Sequence, residues 1–383
     1  MDSIKVGGFL LSAASSYAAF LYKLFQVRRS WRDIVYVSLM VTLLLQCVTF
    51  TMGAVALGFD TFLGVRNLAI LILHVTAVAF CVAAQIVLLQ WANPLAEVKR
   101  KIYWWLAAGV GVIVVLTVLF FAADGPGQPR DEFATGSSEP VILVYLLIFI
   151  VSQAIPCVTI YRQCLPYARM TSKPWLRRAL RVLAVGSVVL FLYCAARTVN
   201  ILSPLFGIDI GGWQILASVF SAIGICILSA GLTMPSWGIH VSNLAQWRKN
   251  YASYKALYPL WHELYESSPD IALEPPSSSV SDLRYRLHRR VIEIRDGWRA
   301  LRPYMDRSDP VPSTAPGNTA VTEETRQAYV EAAKIKQAIR AKNAGRTPET
   351  SQDPGGFDDR DAKDLAAEVS WLTQVSLAYA RLD

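Results

Sequence analysis

The sequence predicts an all-α polytopic membrane protein: a seven-transmembrane-helix bundle, N-terminus outside and C-terminus inside, followed by a helical cytoplasmic domain. Three observations carry this expectation. Long apolar runs fill the chain up to about position 236 and then stop. Mean hydropathy is +0.35 and hydrophobic residues make up 54%, above the roughly 45–50% of globular chains. Lys and Arg crowd onto alternate connectors.

A membrane-spanning helix needs about 20 largely apolar residues. The runs predict spans at 4–23, 34–58, 67–91, 102–122, 140–161, 181–203 and 213–236. The connectors QVRRSWRD, NPLAEVKRK and RQCLPYARMTSKPWLRRALR are basic. DGPGQPRDEFATGSSEP is acidic and rich in Gly, Pro and Ser, and GFDTFLG and SPLFGIDIGG are short and poor in cations. Trp31, Trp91, Trp104, Trp105, Trp213 and Trp237 all sit near span ends, where interfacial tryptophans belong.

Cation asymmetry sets the orientation. Lys23, Arg28, Arg29, Arg32, Lys99, Arg100, Lys101, Arg162, Arg169, Lys173, Arg177, Arg178 and Arg181 fall on one side, against Lys5, Arg66 and Arg130 on the other. The richer side is the cytoplasmic one. The cations of the first span follow its apolar run, which suits a retained helix and not a cleaved signal. The expected domains are 1–236 in a plasma membrane, 237–306 as a cytoplasmic helical domain, and 307–383 as linkers and two C-terminal helices that complete it.

Ionisable residues within spans mark candidate sites. Arg197 and His74 both fall in the predicted outer half, and Asn200 stands three residues beyond Arg197 on the same helix face. Together His74, Arg197 and Asn200 make a candidate pocket for a small-molecule ligand or solute. The other reading of such groups, with Gln46, Gln85, Ser152 and Gln153, is interhelical hydrogen bonding that holds the bundle. No Asp or Glu lies deep in a span, so a proton-coupled transporter has no obvious carrier.

Cys47, Cys81, Cys157, Cys164, Cys194 and Cys226 all lie in or beside apolar runs, without CxxC or Cys/His metal spacing. They read as small packing residues, and neither a metal nor a cofactor is expected.

Residues 241–383 hold 20 Lys/Arg and 20 Asp/Glu, so the tail is neutral. Leu244, Trp247, Tyr251, Tyr254, Tyr258, Trp261 and Tyr265 step by three and four along one helix face, with a break expected at Pro259. Ser281 or Asp282 is placed to cap the next helix. There RYRLHRRVIEIRDGWRALRPY carries seven arginines, yet Leu287, Val291, Ile294, Trp298 and Leu301 form a narrow apolar seam. That seam is the candidate docking surface for a cytosolic protein partner. Glu293 can pair with Arg289 or Arg290, and Asp296 with Arg299. With charges spread and compensated, no nucleic-acid footprint forms. Residues 306–320 and 347–361 are linkers rich in breakers; a helix between them starts at T-x-x-T and ends before a Gly. A last helix over 361–382 places Trp371, Val375, Ala378 and Leu382 on one side. No phosphate loop, dinucleotide fingerprint or H-E-x-x-H is present, and no enzymatic activity is expected.

The segments LYPLWHEL, RYRLHRRVIEIRDGWRALRPY, AYVEAAKIKQAIRAKNAG and EVSWLTQVSLAYA, in that order, resemble a family of uncharacterised actinobacterial seven-span membrane proteins with a conserved cytoplasmic domain, labelled only as candidate transporters. The resemblance implies the same architecture and an actinobacterial plasma membrane. It implies no catalytic residues. The composition and motifs together favour a non-enzymatic receptor or scaffold coupling its membrane bundle to a cytoplasmic docking domain, with a solute transporter as the alternative.

Overall fold

The computed structural model describes residues 2–26, 33–129, 133, 139–206, 214–272, 282–305, 322–346 and 365–382. Arg28, Arg29, Trp31, Arg32, Arg130, Trp213, Ser281 and both expected linkers lie outside the described residues. The chain divides into two compact units, Met1–Ile239 and His240–Asp383.

In the first unit the helices are α1 (Asp2–Phe25), α2 (Ile34–Gly58), α3 (Leu68–Ala92), α4 (Leu95–Ala122), α5 (Pro140–Met170), α6 (Pro174–Leu202) and α7 (Gln214–Ala256), which runs on into the second. Six of them, α2 to α7, are long and apolar enough to cross a membrane. The chain is a polytopic membrane protein. Among the described residues α1 is not one of the six. It packs on α2 nonetheless: the Phe9 and Phe50 rings lie 6.3 Å apart and the Tyr17 hydroxyl is 3.0 Å from that of Thr51. Its last turn is tied by Lys23, which donates to Ser236 of α7.

Hydropathy located the apolar centres of the helices but not their basic ends. α4 begins at Leu95 and not at 102, α5 runs to Met170 and not to 161, and α6 begins at Pro174 and not at 181. Each extension is basic, and the long stems of Lys and Arg let a helix carry its charges out of an apolar slab without ending. Val110, Val114, Val118 and Phe121 of α4 are each more than half exposed. Such a contiguous apolar surface is stable against lipid and not against water.

α6 and α7 are held by a repeat of glycines. A Cβ placed on Gly224, Gly231 or Gly238 of α7 would fall within 3 Å of Leu190, Leu183 or Trp175 of α6 respectively. The large side chains sit where α7 has none, which is how helices approach closely in lipid.

The connection between α2 and α3 is a hairpin, β1 (Thr61–Phe62) and β2 (Val65–Arg66), paired antiparallel. Leu63 and Gly64 have φ of 51° and 81°, the two positive values of a type I′ turn. Asn67, next in line, donates through Nδ2 to the Gly125 carbonyl at 2.8 Å and the Gln128 carbonyl at 3.0 Å, fastening this connection to the chain after α4.

The second unit adds α8 (Tyr258–Ser267), α9 (Leu283–Leu301), α10 (Glu323–Asn343) and α11 (Leu365–Tyr379). Asp282 caps α9, accepting from the Arg284 N–H at 2.9 Å. α10 ends in a Schellman turn: Gly345 has φ 73°, and Arg346 N–H reaches back to the Ala341 carbonyl at 3.2 Å, as that motif requires. The break before α8 falls at Leu257, beside Pro259. Ser376 of α11 spans it, donating to the Ala256 carbonyl at 2.7 Å and accepting from Leu260 N–H at 3.3 Å.

The expected docking seam requires correction. Leu287, Val291, Ile294, Trp298 and Leu301 are all buried, in one core with Leu260, Leu264, Ile335, Leu372 and Val375. A two-heptad apolar seam on a helix has the same pattern whether it meets a foreign chain or its own neighbours, and here the neighbours take it. The aromatic stripe of 244–265 is divided as well. Trp261 is buried and Tyr254 and Tyr265 pack on the core, whereas Leu244, Trp247 and Tyr251 are exposed.

Candidate ligand-binding site

The first unit contains a cavity of about 280 Å³. Among the described residues it is lined by α1, α2, α3, α5, α6 and α7, together with Phe133. The lining comes from the starts of α1, α3 and α7 (Phe9, His74, Ser218), the ends of α2 and α6 (Gly53, Arg197), and α5 at Phe149, Gln153 and Cys157. These positions share one end of the bundle, because helices that run antiparallel bring starts and ends together. Gly53 gives the cavity part of its space: a Cβ there would meet the Phe9 ring at 2.2 Å.

His74 is buried and its Nδ1 lies 2.8 Å from the Tyr145 hydroxyl. The Phe149 ring lies against it, with centroids 3.9 Å apart. The tautomer sets the roles: with Tyr145 donating to Nδ1 the imidazole carries its proton on Nε2, and with Nδ1 donating to the hydroxyl Nε2 accepts. Arg197 lines the cavity from α6, with Tyr193 one turn before it. Asn200 does not line the cavity. It is buried, with Nδ2 unpaired, at a position three residues on; three residues turn a helix by ~300°, so the shared face is only approximate.

Gln153 of α5 also lines the cavity. The Cys81 thiol donates to its Oε1 at 2.9 Å, which orients the amide. Its Nε2 has no hydrogen-bond partner although the residue is only 8% exposed. Cys157 and Cys194 complete a group of three cavity thiols with Cys81. Reading every cysteine as packing missed this, since a Cys in an apolar run looks the same on either side of a cavity wall. Among the described residues no His, Cys, Asp or Glu group is arranged to hold a metal ion.

Beyond the cavity the bundle closes. Gln46 Nε2 donates to Ser229 at 2.7 Å and Gln85 Nε2 to the Pro156 carbonyl at 3.1 Å, both buried. Leu43, Leu88, Cys164, Leu183, Leu228 and Leu232 pack beneath them in one apolar cluster.

In the second unit the arginines of α9 serve the core. Arg290 is buried; its guanidinium donates to the Tyr254 carbonyl at 2.7 Å and hydroxyl at 2.8 Å. It also lies over the rings of Tyr254, Trp261 and Tyr258, at 3.6, 4.8 and 5.5 Å. Burial lowers its pKa from the ordinary arginine value. Glu293 accepts from Trp261 Nε1 at 2.7 Å and pairs with Arg289 at 2.9 Å. Arg295 pairs with Glu368 of α11.

These helices carry a family match. Residues 246–381 match DUF6545, a family of unknown function. The match runs from the last turns of α7 to the end of α11, so it covers the C-terminal region and leaves the cavity residues outside the DUF6545 segment. No curated protein and no solved structure matches the chain. The Arg290 cage, the Glu293–Trp261 bond and the Ser376 bridge all belong to the DUF6545 segment, and all are internal to its fold.

Proposed function

We propose that the chain is a non-enzymatic plasma-membrane receptor that takes a small molecule into the cavity of its helix bundle. In this reading α1 is the seventh span, the N-terminus is outside, and the helical unit beginning at His240 lies in the cytoplasm. A length of 24 residues and its packing against α2 support α1 as a span. The concentration of Lys and Arg on alternate connectors supports the orientation. Any cytosolic partner meets a surface other than the α9 seam, since that seam is buried.

The observation that carries the reading is that the cavity has one closed end. Its lining occupies the half of the bundle nearest the start of α1. The other half is filled by the Gln46 and Gln85 hydrogen bonds and the apolar cluster around Leu43, Leu183 and Leu232. A pocket with a packed floor suits binding; a conduit needs a second exit.

Sided labelling tests this. A membrane-impermeant maleimide is applied to right-side-out and to inverted vesicles holding the full chain, and modification of Cys81, Cys157 and Cys194 is mapped by mass spectrometry. Modification from the outer face alone is expected. Modification from both faces would instead favour a transporter with alternating access, and modification from the inner face alone would reverse the orientation.

A further inference from the structure

We infer that the molecule this cavity takes is small, uncharged and mostly apolar, with a hydrogen-bond acceptor such as a ketone or ester oxygen that Gln153 holds. The inference rests on the cavity being a binding site and names the class of ligand it takes. A polar group, a wall and a volume point to it.

The polar group is the Gln153 amide. Gln153 lines the cavity from α5 and is only 8% exposed. Its Oε1 accepts from the Cys81 thiol at 2.9 Å, and its Nε2 has no hydrogen-bond partner. A buried N–H without an acceptor carries a desolvation cost that folding has already met, and a ligand oxygen recovers it. The thiol decides which end of the amide is left over: the oxygen is used, and the nitrogen remains to donate. His74 adds a ring nitrogen that donates or accepts with its tautomer, so it sets no demand of its own.

The wall is aromatic and aliphatic, with Phe9, Phe50, Phe80, Phe149, Leu73 and Leu190 in it. Such a wall with few polar groups suits an apolar molecule oriented by one or two hydrogen bonds. Charge is disfavoured in either sign. Among the described residues the lining has no carboxylate to balance a cation. Arg197 lines the cavity too, but it already has an interaction of its own, for which an anion would have to compete.

The volume is about 280 Å³, nearly twice the ~150 Å³ of an apolar cavity that holds benzene. One water at Gln153 would use ~30 Å³ and leave the apolar wall bare. A ring with a short chain fills the space.

The test titrates the full chain, in phosphatidylcholine nanodiscs, with three probes of matched size. These are benzylacetone, isopentylbenzene with a methyl group in place of the ketone oxygen, and hydrocinnamate with a carboxylate there. Apparent affinities come from the rise of the thermal midpoint with probe concentration, referred to the concentration within the bilayer so that partitioning cancels. Benzylacetone is expected to bind about tenfold more tightly than isopentylbenzene, the ratio that a hydrogen bond of ~1.4 kcal/mol gives. It should also bind more tightly than hydrocinnamate. Gln153→Met, close in volume but without the amide, should abolish the preference over the hydrocarbon. Equal binding of ketone and hydrocarbon overturns the acceptor, and tighter binding of hydrocinnamate overturns the uncharged class. Both comparisons use the unaltered chain and hold whether or not the variant folds. A preference that persists in Gln153→Met overturns Gln153 as its holder. Binding of none of the three overturns the ligand class, while the receptor reading stands or falls separately on the sided labelling of Cys81, Cys157 and Cys194.

Discussion

The His74 imidazole and the Tyr145 hydroxyl, 71 residues apart in sequence, meet at 2.8 Å between α3 and α5. The pair fixes one wall of the cavity, and both members are buried. Tyr145→Phe keeps the ring and its volume and removes only the hydroxyl, leaving Nδ1 unpaired. Polar contacts between membrane helices are worth about 0.6 kcal/mol on average and up to ~1.7. The thermal midpoint of the purified protein should fall by a few degrees; an unchanged midpoint would show that the bond contributes nothing.

The glycine repeat on α7 makes a sharper prediction. Gly231→Val brings a branched side chain against Leu183, where even a Cβ would sit at 2.8 Å. Overpacking of this kind costs about 1–3 kcal/mol. Gly111→Val on α4 is the control, because a Cβ there meets nothing within 4 Å. The first variant should lose yield and monodispersity on gel filtration, and the second should match the parent.

Arg290 lies in its aromatic cage as a structural cation. Arg290→Leu removes two hydrogen bonds to Tyr254 and the charge over three rings. Arg290→Lys keeps the charge but cannot reproduce the fork. Both should sensitise the C-terminal unit of the full chain to limited proteolysis, by about 2 kcal/mol for leucine and less for lysine. Equal resistance in all three proteins would mean the cage is dispensable.

The buried seam reverses what Leu301→Asp or Val291→Asp would mean. On an exposed docking face these changes would leave the fold intact and cost only a partner. At 0% and 2% exposure an aspartate is an unpaired charge in the core, with a penalty of several kcal/mol. Loss of helical signal and rapid proteolysis of the C-terminal unit are expected. A folded unit would return the seam to candidate docking surfaces.

How much of this was legible depends on what each signal measures. Hydropathy over twenty residues is an average, so it located α2 at 34–58, its observed bounds, and lost the basic ends of α5 and α6, where the average falls but the backbone hydrogen bonding does not. Side-chain periodicity identified Leu287, Val291, Ile294, Trp298 and Leu301 as one buried stripe, because burial depends on the face alone. Which surface covers that face depends on the return of α10 and α11, to which local pattern is blind. The rule that ionisable residues in spans mark candidate sites singled out His74 and Arg197, which both line the cavity. It carried no such signal for Gln153 or the three thiols, whose significance arises only when three helices bring them around one space.

Ser376 bridges the joint between α7 and α8 from 116 positions downstream of Leu260. During synthesis, then, α7 emerges with its lower joint unfastened, and Ala256 and Leu260 wait for α8, α9 and α10 to be made before α11 can clasp them. Contacts of such separation close late, after the loop entropy between them has been met. The fold therefore imposes an order of assembly, in which the C-terminal unit stays open until its last helix arrives.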